Sequence, residues 1–120
     1  MVITIPIRTV SEANQREHWS KRHRRNVAQQ ARVAWTLFGH EWTALPCRIT
    51  LTRIAPRKLD PDNLAGSFKH VQDAVAKWLG VDDGDASLTW VYAQRKGAAK
   101  EYAVEVALEA IQEAREVNRG

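Results

Sequence analysis

Apolar and polar residues follow two different periods along this chain. Four short runs are rich in alternating or β-branched apolar residues, which is typical of strands, and in two longer runs apolar residues recur every three or four positions, which indicates helices. The predicted strands cover residues 2–7, 47–54, 87–95 and 101–108, and the predicted helices cover roughly 16–38 and 61–79. This order, β-α-β-α-β-β, predicts an α+β fold in which a mixed sheet packs against two helices.

The first predicted helix contains an apolar stripe in its second half. Residues at this spacing share one face of a helix, so we expect that face to be buried. The stripe consists of Val27, Ala31, Ala34, Trp35 and Phe38. Two further tryptophans in similar apolar patterns, Trp78 and Trp90, are also expected in the core.

The second predicted helix covers residues 61–79 and has clear signals at both ends. Gly80 follows it, at the position where many helices end with a left-handed residue. Gly66 and Ser67 weaken the helical pattern near its start, so the regular helix could begin only there. Between the last two strands, residues 94–97 predict the turn of a hairpin.

Length and composition fit a single domain covering residues 1–120. The chain is 44% apolar and contains five Trp, which is enough for a core of its own. Cys47 is the only cysteine, so no intrachain disulfide can form, and its place in a predicted strand indicates a small buried side chain. We find no leader pattern and no long apolar run, so we expect a cytoplasmic protein without a membrane partner. Residues 110–120 form a polar tail that we expect to fray.

A basic segment opens the first predicted helix, in a chain whose net charge is +4. Its positive side chains surround the helix, so a solvated polar face does not account for them. Arginine and lysine at this density predict contacts with DNA phosphates, which are independent of base sequence and sensitive to salt. Trp19 could stack on an exposed base, or pack in a core or a dimer contact. The candidate DNA-binding residues are Arg16, Trp19, Lys21, Arg22, Arg24 and Arg25, with Arg57 and Lys58 further along.

Two acidic groups flank the second predicted helix. Asp60 and Asp62 stand at its start, and Asp82 and Asp83 follow its end. Each pair has an ordinary explanation, because aspartate is a favoured N-cap and an Asp-Asp-Gly run is a common surface turn. A calcium-binding loop is a weaker alternative, since the twelfth position counted from Asp82 is Ala93, where an EF-hand needs glutamate.

The length of the second helix limits how the two acidic groups can meet. A continuous helix over 61–79 is about 28 Å long, and one that begins near residue 66 is still about 20 Å long. Either length is too great for the two groups of one subunit to share a metal ion. The two groups therefore have to meet either through a break in the helix or across a subunit boundary, where in a symmetric dimer the second group of one subunit could lie beside the first group of another.

The acidic residues belong to a longer pattern. It reads Asp60-x-Asp62-Asn63-Leu64, then Lys69-x-x-x-Asp73-Ala74, then Leu79-Gly80-Val81-Asp82-Asp83. Together with the opening strand, a loop containing Ser11 and Asn14, and the basic segment, this pattern resembles the RusA family of Holliday junction resolvases over nearly the whole chain. In two places it departs from the family prototype: Lys69 stands three residues later than the prototype's lysine, and Leu59 replaces an arginine.

The resemblance implies a homodimeric, Mg²⁺-dependent endonuclease that makes paired symmetric nicks in four-way DNA junctions during recombination and repair. Asp60, Asp62 and Asp83 correspond to the family's magnesium-binding aspartates, and Lys69 corresponds to its essential lysine. Asp82 is a further candidate ligand, and Mn²⁺ could replace Mg²⁺. The implied setting is the cytoplasm of a bacterium, or a phage-encoded protein acting there.

The implied roles agree with the chemistry of phosphodiester hydrolysis. Carboxylates retain Mg²⁺ while leaving positions for water and a phosphate oxygen, and a lysine can stabilise the charge that develops. Alternatively, Lys69 is a solvated lysine paired with Asp73 one turn later. Two other functions stay open: a non-catalytic DNA-binding protein of the same fold, and a nuclease with another branched-DNA preference.

Overall fold

The computed structural model describes residues 1–9 and 19–111. Its elements are β1 (Val2–Ile5), α1 (Trp19–Leu37), β2 (Cys47–Ala55), α2 (Pro61–Ser67), α3 (Lys69–Leu79), β3 (Leu88–Lys96) and β4 (Ala103–Ala110). The strands form one mixed sheet in the order β1-β4-β2-β3. The α+β fold and its element order are therefore confirmed, with the second predicted helix divided into two.

The connections between strands follow from the mixed pairing. β2 pairs with β3 in parallel and with β4 in antiparallel fashion, so α2 and α3 form the crossover that a parallel pair requires. The predicted hairpin over residues 94–97 is wrong, because β3 and β4 lie on opposite sides of β2. The connection crosses the end of β2 instead, where the N–H of Gly97 donates to the Ala55 carbonyl at 2.8 Å. A Cβ on Gly97 would lie 3.0 Å from Ile54 Cγ2, so the close crossing favours glycine.

One face of the sheet carries the core. In β2 the alternate residues Cys47, Ile49 and Leu51 are fully buried, which confirms the period-two pattern and the buried cysteine. Burial raises the pKa of the Cys47 thiol. The other strands and the helices contribute Ile3, Ile5, Val33, Leu37, Leu64, Phe68, Val71, Val75, Val104, Val106 and Leu108.

Helix α1 buries a different face from the one predicted. Its buried residues are Gln29, Val33 and Leu37. Trp35 and Phe38 are 78% and 82% exposed, and the remaining stripe residues Val27, Ala31 and Ala34 are exposed as well. The predicted burial of this stripe, including Trp35, is therefore wrong, because helical spacing marks an apolar face without showing what covers it. Trp78 and Trp90 are partly buried against the core, in agreement with the prediction.

The second predicted helix breaks at Phe68, which ends α2 and begins α3 with φ −94° and ψ 0°. Its ring is fully buried and stacks on Tyr92, with ring centroids 5.6 Å apart. The break follows Gly66 and Ser67, but the helix already begins at Pro61, so the expectation of a later start is wrong. Gly80 has φ 84° and ends α3 as predicted.

None of the described helices is long and apolar enough to cross a membrane. The predicted polar tail begins within β4, which continues to Ala110. Residues 112–120 lie outside the described residues.

Candidate functional site

The first acidic group lies where β2 leads into α2. Asp60 is the N-cap of α2, and its Oδ1 accepts a hydrogen bond from the Asn63 N–H at 3.1 Å. Pro61 occupies the start of the helix, and Asp62 is exposed in the first turn. The ordinary explanation of Asp60 is therefore confirmed. It does not conflict with a metal role, because a carboxylate has a second oxygen with which to bind a cation.

Two side chains from neighbouring strands hold the backbone that leads to Asp60. Gln94 of β3 donates Nε2–H to the Leu59 carbonyl at 2.7 Å, and its Oε1 accepts from the Leu59 N–H at 2.9 Å. Arg53 of β2 is the register partner of Gln94 and donates Nη1–H to the Arg57 carbonyl at 2.6 Å. The approach to Asp60 is thus fixed from two adjacent strands.

The second acidic group does not lie beyond the far end of α3. After Gly80 the chain turns back, and Gln72, near the start of α3, donates Nε2–H to Asp83 Oδ2 at 3.3 Å. The indole N–H of Trp90 donates to the Asp83 carbonyl at 2.7 Å. The helix is broken at Phe68, which is one of the two alternatives drawn from its length, and the loop folds back along α3.

Asp85 closes this loop. Its Oδ1 accepts hydrogen bonds from the Ser87 hydroxyl at 2.7 Å and the Ser87 N–H at 2.8 Å, and these bonds lower the pKa of the Asp85 carboxyl. Part of the acidic run is thus a surface turn, as the ordinary explanation expects, while Asp82 and Asp83 remain exposed.

Tyr92 supports the second acidic group through Gln72. Its hydroxyl donates to Gln72 Oε1 at 2.5 Å, so it supports the side chain that holds Asp83. Burial raises the pKa of Tyr92, the hydrogen bond to Gln72 opposes that rise, and the negative charge of Asp83 adds to it. The phenol therefore stays protonated as a donor at neutral pH.

The spacing along β3 sets the offset between the two acidic groups. Trp90, Tyr92 and Gln94 point to the same side of the strand, since side chains alternate. Trp90 binds the Asp83 carbonyl and Gln94 binds the Leu59 carbonyl next to Asp60, so the two anchors are four strand residues apart, an advance of about 13 Å. Among residues 1–9 and 19–111, no three or more His, Cys, Asp or Glu side chains are grouped closely enough to hold a metal ion.

Lys69 begins α3 and is exposed. It precedes Gln72 by three residues, so the two side chains are neighbours on the helix surface. In the described part of the chain, the ion pairs are Arg48–Glu109 and Arg95–Glu105, and Lys69 does not pair with Asp73. The alternative of an intrahelical ion pair is therefore not seen.

The basic segment forms the first turns of α1. Lys21 and Arg24 are exposed, Arg22 and Arg25 are partly buried, and Trp19 is 71% exposed, which excludes it from the core of the described chain. Arg16 lies outside the described residues. Arg57 and Lys58 are exposed and precede Asp60 by three and two residues.

An open groove of about 730 Å³ lies between α1 and α3. Its apolar wall includes Val27 and Phe38, and its acidic residues are Asp73, Asp82 and Asp83. The exposed apolar face of α1 therefore borders the second acidic group.

Sequence reasoning missed four residues that organise the site: Arg53, Gln72, Tyr92 and Gln94. For Arg53 a signal was present, since it occupies an inward position in the alternation that includes Leu51. For the others the partners are distant in sequence, so no local pattern identifies them.

No protein-family model matches this chain, and no curated protein is significantly similar to it. A functional assignment therefore has to come from the residues and their geometry.

Proposed function

We propose that this protein is a Mg²⁺-dependent endonuclease that cuts branched DNA, with the four-way junction as its substrate. The observation that carries the proposal is that one row of side chains on β3 holds both acidic groups. Trp90 binds the backbone of Asp83, and Gln94 binds the backbone next to Asp60. Surface turns with no further role do not need such anchoring, whereas reacting groups must be held in a defined geometry.

Asp60, Asp62 and Asp83 would hold the metal ion, with Asp82 as a further ligand, and Mn²⁺ could replace Mg²⁺. Mg²⁺ commonly takes one or two protein carboxylates and completes its shell with waters and substrate phosphate oxygens, so it does not require all of these carboxylates as direct ligands. When bound, the ion would supply an activated water and neutralise charge on the scissile phosphate.

The chain's own cations have separate roles in this proposal. Lys69, which precedes the Asp83 partner Gln72 by three residues on α3, would stabilise the developing charge on the phosphate or the leaving oxygen. The basic start of α1, together with Arg57 and Lys58, would hold DNA by its phosphates, which suits a substrate selected by branch shape. Trp19 is exposed enough to stack on an unpaired base at the branch point.

A symmetric homodimer is part of the proposal, because paired nicks need two sites. The exposed face of α1 supports it: Trp35 and Phe38 stack on each other with ring centroids 6.4 Å apart and are mostly exposed. Apolar patches of this kind mark interaction surfaces, and a two-fold contact between two such faces would cover both at once. Opposite charges favour the same contact, since the start of α1 is basic and the neighbouring groove is acidic.

The dimer is tested by light scattering on the purified protein. We expect a dimer for the unchanged chain and a monomer for Phe38→Glu. Thr4→Glu, which places the same charge on an exposed position of β1, serves as the matched control and should leave the dimer intact. A monomer for the unchanged chain at tens of micromolar would refute this part of the proposal.

The activity is tested with a synthetic four-way junction and Mg²⁺. We expect symmetric paired nicks that are lost in Asp62→Asn, and we expect Lys69→Ala to bind the junction normally while losing most cleavage. Glu109→Gln is the control, because this carboxylate pairs with Arg48 on the opposite face of the sheet. Tight binding without metal-dependent cleavage would instead favour the non-catalytic DNA-binding protein. The capping role of Asp60 is consistent with that alternative. Parallel assays on duplex, flap and three-way substrates show whether the protein prefers another kind of branched DNA.

A further inference from the structure

We propose that a second phosphate-binding subsite lies at Arg8, with the buried Arg53 on one side and Arg25 and Arg32 of α1 on the other. Its ligand class is a phosphodiester of a nucleic-acid strand. The subsite would hold the strand near the Asp60 turn without taking part in the chemistry. Binding of inorganic phosphate there does not depend on the proposed nuclease function, whereas the identity of the ligand as DNA rests on it.

The burial of Arg53 is the first observation. This side chain is only 7% exposed and donates Nε–H to Thr9 Oγ1 at 3.2 Å and Nη1–H to the Arg57 carbonyl. In the described part of the chain no carboxylate forms an ion pair with it. Burial lowers the pKa of Arg53, and the positive charge of Arg8 lowers it further. A buried cation beside another cation is unfavourable by itself, so this place favours an anion.

The fixed position of Arg8 is the second observation. Its guanidinium carbon lies 4.5 Å from the centre of the Tyr102 ring, and its backbone carbonyl accepts a hydrogen bond from Gln29 Nε2 at 3.3 Å. The stacked ring supports one face of the guanidinium and leaves its N–H edge for a ligand. The side chain is thereby oriented before any ligand arrives, which reduces the entropy cost of binding.

A small basic pocket is the third observation. Arg8 lines a pocket of about 230 Å³ together with Arg25 and Arg32, and the other described residues around it are uncharged. Arg8 and Arg32 place positive charge on one concave surface, and such a potential attracts anions. Planar guanidinium groups match the geometry of phosphate oxygens better than lysine does.

The place of the subsite in the fold connects it with the proposed site. Arg53 binds the carbonyl of Arg57, three residues before Asp60, and Arg25 belongs to the basic segment of α1. Arg8 and Arg53 therefore join two cationic regions that are separate in the sequence. A DNA strand that contacts α1 would be led past Arg8 to the Asp60 turn.

The first test measures the thermal midpoint in phosphate and in chloride at equal ionic strength. Phosphate stabilises proteins generally by exclusion from their surface, so a control is needed. Arg48→Met supplies it, because Arg48 lies on the same strand as Arg53 but pairs with Glu109 on the opposite face. We expect phosphate to raise the thermal midpoint of the unchanged chain and of Arg48→Met more than the midpoint of Arg8→Gln and Arg53→Met. Arg53→Met also loses the hydrogen bond to the Arg57 carbonyl, so the result for the exposed residue Arg8, in Arg8→Gln, is decisive. An equal rise of the thermal midpoint in all four proteins would overturn the subsite.

The second test measures the salt dependence of four-way junction binding. Loss of one phosphate contact should reduce the slope of log affinity against log salt by about 1 in Arg8→Gln, with no change in Arg48→Met. If phosphate stabilises through Arg8 but the unchanged chain binds no DNA, the subsite stands and the proposed function fails. If DNA binds with an unchanged slope in Arg8→Gln and the phosphate effect is absent, the subsite fails, whereas the proposed function is unaffected and is decided by the cleavage assay.

Discussion

Replacing Gln94 with methionine removes the clamp on the backbone before Asp60 while nearly preserving side-chain length. The wild-type amide makes two hydrogen bonds to Leu59, one to its carbonyl at 2.7 Å and one from its N–H at 2.9 Å, in a partly buried place. Each such bond contributes about 1 kcal/mol net, and both backbone groups of Leu59 would lose a partner. We therefore expect the free energy of unfolding to fall by about 2 kcal/mol.

Urea unfolding followed by circular dichroism measures this loss. The midpoint should decrease without a change in the m-value, because the folded and unfolded surfaces stay nearly the same. In a domain of this length, the same loss should lower the thermal midpoint by about 8 °C. Under the proposed function, cleavage should decrease more than junction binding, since the clamp orients Asp60, whereas most of the proposed phosphate-contacting cations lie on α1.

Arg95→Met is the matched control for this substitution. Arg95 follows Gln94 on β3 but faces the opposite side, where it pairs with Glu105 at 2.8 Å in an exposed position. Such a surface pair contributes less than about 1 kcal/mol. If Gln94→Met and Arg95→Met unfold at the same urea concentration, the clamp adds nothing to stability and the reasoning is refuted.

Three further predictions concern single groups. Asp60→Asn keeps an oxygen for the Asn63 N–H and should retain stability, whereas Asp60→Ala should cost about 1 kcal/mol; equal thermal midpoints would contradict the cap. Because the pKa of Tyr92 is raised above 10.0, the folded state holds the phenol proton more tightly, so this contribution to stability is complete below about pH 10 and is lost as pH rises through the folded pKa. Urea titrations should show a smaller alkaline loss for Tyr92→Phe, and identical pH dependence would refute the coupling. Cys47 is fully buried with a raised thiol pKa, so a thiol reagent should label it only through unfolding, and rapid labelling of the native protein would show the burial to be wrong.

The sequence by itself determined the elements and much of their local chemistry. The alternation in β2 and β4 identified the inward residues, because a strand places side chains on opposite sides in turn. Asp60 and Gly80 marked where helices begin and end, since capping depends on only a few neighbouring residues. The acidic and basic residues of the candidate site were likewise visible as a pattern along the chain.

Only the tertiary structure decided how these parts meet. Residues 94–97 have suitable turn chemistry, yet β2 lies between the strands they connect, and no local signal specifies a strand's neighbour. The apolar stripe of α1 was correctly recognised as a face but wrongly assigned to the core, since burial depends on what packs against it.

The position of Asp83 shows most clearly that the local sequence does not specify tertiary contacts. Sequence distance placed it at the far end of a long helix, whereas Gln72 and Trp90 hold it near the start of α3. Hydrogen bonds between residues 7 to 11 positions apart reverse the chain there. The local sequence therefore identifies the charged groups, whereas packing against β3 determines where they lie relative to each other.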